Sequence, residues 1–144
     1  MESLDSVKLL KECDAGAKMA VSSFDDVLEY VCDCELKELL QESKEHHEVL
    51  GNEIHAILKE SGSQDKDPHP IAKGMSWMKT NMKLAINNSD ATVADLILDG
   101  CNMGVKSLYK YMNQYENADE ESKRICKQLI KIEEKLCDEL KEYL

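Results

Sequence analysis

"ICKQLIKIEEKLCDEL", residues 125–140, decides the fold class. Its apolar residues Ile125, Leu129, Ile132, Leu136 and Leu140 are separated by four, three, four and four positions. A half-buried strand would alternate every second residue. Steps of three and four put these side chains on one face of an α-helix. The charges between them read as a solvated face with i, i+4 pairs. The same period recurs outward along the chain. Residues 91–116 carry Val93, Ile97, Cys101, Val105, Leu108 and Met112. Residues 34–60 carry Leu36, Leu40, Leu50 and Ile54, and residues 4–31 carry Leu10, Ala17, Phe24 and Leu28. A shorter stripe, Ile71, Met75, Met78, Met82 and Ile86, predicts a helix over 71–87.

The punctuation agrees with this reading. "CDCE", residues 32–35, is a tight turn in which Asp33 suits the N-cap of the next helix. "ESGSQDKDPHP", residues 60–70, has the composition of a loop, and "NNSD", 87–90, offers Ser89 or Asp90 as a cap. "ENADEES", 116–122, opens the last helix at about 119. The expectation is one all-α domain over residues 1–144. Four long helices and one shorter one would lie side by side, because that arrangement best buries stripes of similar length. Tight turns make the first two helices, and the last two, antiparallel neighbours. The helix 71–87 is placed to return the chain along the bundle.

A chain of 144 residues can bury a core without a metal or disulfide to hold it. Its net charge is −11, which disfavours nucleic acid and anionic membrane as partners. "MESLDSVKLL" lacks the basic and apolar regions of a secretory signal, and no apolar run is long enough to span a bilayer. The expected location is cytoplasmic, with Cys13, Cys32, Cys34, Cys101, Cys126 and Cys137 reduced and mostly buried.

"ELKELLQES", "GMSWMKTNMKLAI" and "LDGCNMGVKSLYKYM" extend the pattern over nearly the whole chain. In these segments and their order the sequence resembles a bacterial family of ferritin-like bundles to which no reaction is assigned. The resemblance implies an antiparallel ferritin-like four-helix bundle with an extra short crossover helix. Di-iron members of the wider superfamily use one Glu from each of two helices and a Glu-x-x-His pair from each of the other two. Mapped onto this chain, those positions hold Asp14, Ser43 with His46, Cys101, and Glu134 with Cys137. Two of the six ligand types match, one is a shorter carboxylate and three have changed. A bridged pair of hard cations needs several inward carboxylates to balance its charge. The expected metal face, Asp14, His46, Cys101, Glu134 and Cys137, therefore reads as degenerate, turned toward the bundle interior or its edge but holding no di-iron centre.

"SKEHHEVLGNEI", residues 43–54, puts His46 and His47 side by side near Glu42, Glu45, Glu48 and Glu53. One histidine of the pair is expected in the core with a hydrogen-bonded ring and the other exposed. His55 is expected to face solvent and His69 to sit in a loop. Met75, Met78 and Met82 beside Trp77 read as a core face or a partner surface. Gly16, Gly100 and Gly104 lie inside helices, where close helix approach would offset a cost of roughly 1 kcal/mol each. No phosphate loop, dinucleotide fingerprint or nucleophile elbow is present. The leading expectation is a non-catalytic bundle with no cofactor, acting through self-association or a protein partner on its helix faces. The alternatives are an oxidase or iron-handling protein with altered iron or manganese ligands, and a thiol-rich protein holding a softer metal such as zinc.

Overall fold

The computed structural model describes residues 3–62 and 89–144. Among these residues it is all-helical: α1 is Leu4–Leu28, α2 Cys34–Glu60, α3 Asp90–Gln114 and α4 Glu120–Leu140, with a 3-10 turn at Lys141–Tyr143. The expected helix 71–87, with its Met and Trp residues, and the loop containing His69 lie outside the described residues.

Each of the four described α-helices starts on a side-chain cap that the sequence places there. Ser3 accepts from the amide of Ser6, Asp33 from Glu35 and Leu36, Ser89 from Thr92, and Asp119 from Ser122. Each cap satisfies amides that have no partner within the helix. α1 ends at Leu28 rather than 31, because Tyr30 and Val31 bond back to Val27 and Leu28 in tighter three-residue steps. The turn that follows α2 contains Gly62, whose φ of 77° only glycine adopts freely.

α1 packs along α2, and α3 along α4; α1 also touches α3 and α4, and α2 touches α4. On the first pair Asp25 meets Lys44 at 2.6 Å, Phe24 meets His47 with ring centroids 5.3 Å apart, and Ala17 faces Gly51. Numbers thus fall along α1 as they rise along α2. Arg124 of α4 binds Glu53 of α2 at 2.9 Å.

The two ends are tied in the same manner. At one end, the amides of Cys32 and Asp33 donate to the Asp90 carboxylate at 2.8 and 2.9 Å, fixing the α1–α2 turn to the start of α3. At the other, the amide of Asn117 donates to Asp5 at 3.0 Å and that of Asp119 to Ser6 Oγ at 2.7 Å. These bonds fix the α3–α4 turn to the start of α1. Each turn therefore finds acceptors for its free amides on the other helix pair.

The core has two apolar halves. One is built around Phe24, Val27, Leu40, Ile97 and Leu136. The other is built around Leu10, Ile54, Leu58, Leu108 and Leu129. The gap between the halves falls near the middle of each helix, and that is where Asp14, Ser43, His47 and Glu133 are buried.

Candidate functional site: a buried histidine–glutamate pair beneath a cleft

His47 of α2 is fully buried, and its Nδ1 lies 2.6 Å from the carbonyl of Ser43, one turn earlier. Its Nε2 points across the bundle to Glu133 Oε1 of α4 at 3.6 Å. That is too long for a full hydrogen bond, yet short enough for charge on either group to act on the other. Among the described residues, His47 Nε2 and Glu133 Oε2 have no hydrogen-bond partner. Asp14, also buried, binds Lys18 at 2.8 Å through Oδ2 and leaves Oδ1 without a hydrogen bond.

The expected inward orientation needs correcting at two of the five candidate positions. Asp14, Cys101 and Cys137 are buried, but His46 and Glu134 are exposed, and their chain neighbours His47 and Glu133 turn inward instead. The helical period explains both shifts. Leu36 and Ile54 are eighteen residues apart, five full turns, and share one azimuth. His47 lies about 20° from that line and His46 about 80° from it. Ser122 and Leu140 define the same line on α4, with Glu133 about 20° and Glu134 about 120° away. His55 is exposed, as expected.

Burial pushes the Glu133 carboxyl up from its ordinary value, and His47 pulls it partly back. A group held up in the folded state stabilises the fold most below its unfolded value. That contribution is lost as pH rises from about 4.5, the ordinary glutamate value, through the folded value. Glu133→Gln is therefore expected to flatten this decline in a series of urea midpoints taken from pH 4 to 8. An unchanged slope would show that Glu133 does not titrate in a buried setting.

A cleft of about 420 Å³ opens between α1 and α3. Gly16, Met19 and Ala20 line one wall, Gly100 and Gly104 the other, and His47 and Glu133 also border it. Small residues one turn apart on both helices leave this space unfilled. Close helix approach was expected at the glycines, and Gly16 departs from it: a Cβ there would meet nothing within 4 Å. Gly104 is crowded, but by a side chain. A Cβ on it would sit 2.5 Å from Glu133 Oε2. On the other side of α1, a more open polar groove against α2 is bordered by Asp14, Lys18, Glu48 and again His47.

All six cysteines are free, with Cys13, Cys101, Cys126 and Cys137 buried and Cys32 and Cys34 exposed. The buried four form two pairs across helices. Hydrogen bonding to Cys126, then burial, pushes the Cys13 thiol well up, and Cys137 acts the same way on Cys101. The same bonds push the Cys126 and Cys137 thiols down, but all four are enclosed, and a thiol that a reagent cannot reach reacts slowly. Under native, non-reducing conditions two thiols per chain are expected to react quickly with Ellman's reagent, and four more only after unfolding. Six fast thiols would contradict this packing.

The donor set does not fit the two-cation centre that the resemblance implies. Among the described residues the buried carboxylates are Asp14 and Glu133, and Asp14 is already neutralised by Lys18. Among the described residues, no three His, Cys, Asp or Glu side chains cluster closely enough to hold a metal ion. None of the described helices is long and apolar enough to cross a membrane. No family model, curated protein or solved structure matches this chain.

Proposed function

We propose that the chain is an antiparallel, ferritin-like bundle without catalytic activity, whose degenerate metal layer has become the floor of a binding site for a small apolar molecule. One observation carries this reading. The apolar cleft, of a volume usual for small-molecule pockets, is bordered by two buried side chains with unused hydrogen-bonding atoms. The order of the helices is consistent with the bundle type. α2 and α3 begin at the same end of the molecule, since Asp90 holds the turn that leads into α2. A ferritin-like bundle has that arrangement, with one long crossover between its helix pairs.

The test is uptake of Nile red, a neutral apolar dye, by the full chain. Saturable one-to-one binding is expected, and it should be lost in Gly16→Leu. That substitution fills the cleft from a position where a side chain meets nothing and where glycine costs the helix about 1 kcal/mol. Circular dichroism should show its helices intact. Equal dye binding by Gly16→Leu would place the dye elsewhere and overturn the reading. Two equivalents of iron or manganese per native chain, lost in Glu133→Ala, would favour the altered-ligand oxidase instead.

A further inference from the structure

We infer that the ligand of the α1–α3 cleft is an uncharged apolar molecule with one hydrogen-bond donor, such as a hydroxyl, and that this donor binds Glu133 Oε2. The inference rests on the cleft being a ligand site. It follows from where protons must sit on the buried pair. The Ser43 carbonyl can only accept, so the His47 Nδ1 at 2.6 Å from it carries the hydrogen. Nε2 is then left facing Glu133 Oε1 at 3.6 Å. Two acceptors cannot face each other in a dry interior, so one proton serves the pair. It rests either on Nε2, giving imidazolium and carboxylate, or on Oε1, giving two neutral groups. Both arrangements have zero net charge.

In both arrangements Oε2 is an acceptor. It has no hydrogen-bond partner among the described residues and points toward Gly104, which borders the same cleft. A buried acceptor left unmatched destabilises the protein, and a ligand O–H placed on it would remove that penalty. Gly104 is what leaves room for this carboxylate against α3, because a Cβ there would stand 2.5 Å from Oε2. The remaining walls, Met19, Ala20, Phe24 and Ile97 among them, ask for hydrocarbon.

Charged heads fit badly. A ligand carboxylate would set acceptor against acceptor and add negative charge to a cleft that Glu12 also borders. An ammonium could meet Glu12 elsewhere in the cleft, but placed on Oε2 it would bury a charge against a pair that is already neutral. A bare hydrocarbon or an ether fits the walls but leaves Oε2 without a donor.

The experiment titrates the full chain with 1-decanol, 1-methoxynonane, decanoic acid and decylamine by isothermal calorimetry. 1-Decanol is expected to bind one to one and at least tenfold more tightly than each of the other three. Glu133→Ala should reduce 1-decanol to the affinity of the ether and leave the ether no weaker. Equal affinities for alcohol and ether, or tighter binding of acid or amine, would overturn the assignment of a neutral donor while leaving the cleft reading intact. Absence of binding by all four probes and by Nile red would overturn both. The comparison of alcohol with ether on the unaltered chain decides the matter even if Glu133→Ala does not fold.

Discussion

His47→Ala is expected to lower the unfolding free energy by about 3–5 kcal/mol, the usual cost of removing one partner of a buried pair. Two effects add. The ring fills the space between Phe24 and Glu133, so its loss leaves a cavity. Glu133 then loses the one group that favours its ionised form. Domains of this size are stable by about 5–15 kcal/mol, so the shift in urea midpoint should be large. The double substitution His47→Leu with Glu133→Met is expected to recover most of the loss, because apolar residues of similar volume need no hydrogen bonds. Urea unfolding followed by far-ultraviolet circular dichroism, run as a double-mutant cycle, measures both. A cost below about 1 kcal/mol for His47→Ala, or a double variant no better than the sum of its parts, would show that the two residues are not coupled.

Gly104→Ala should destabilise the protein by about 1–3 kcal/mol, the range for overpacking a filled site. In an open helix the same change stabilises by about 1 kcal/mol, so the sign itself is informative. The added methyl would stand 2.5 Å from Glu133 Oε2, 3.0 Å from Oε1 and 3.1 Å from Cδ. A surface carboxylate would swing aside, but this one is buried against His47. With Glu133 already changed to Ala, Gly104→Ala should become stabilising. The same unfolding measurements in both backgrounds test this, and the idea fails if the two backgrounds give the same sign.

The helical architecture was legible in the sequence because its causes are local. Apolar residues at steps of three and four define each stripe. Asp33, Ser89 and Asp119 stand just before three of the helices they cap. A cap needs only amides two and three residues away, so no distant information enters.

Which polar residues turn inward depends on more than local spacing. Adjacent residues on a helix differ by about 100°, and an apolar stripe is about as wide. His46 and His47 therefore both border the stripe when judged against the nearest apolar residues. The same ambiguity placed Glu134 rather than Glu133 in the core. It is removed only by the azimuth of the whole helix against its partners, and that line passes nearest His47 and Glu133. The cleft has a similar origin. Small residues such as Gly16 and Gly104 are compatible with helices that touch and with helices that stand apart. Among the described residues, the sequence by itself determined which segments are helical and, closely, where they begin. Only the packing of α1 against α3 decided that the space beside Gly16 stays open, while Gly104 meets the Glu133 carboxylate. The physical reason is that a missing side chain specifies no distance, and the spacing of two helices is set by every other contact they make.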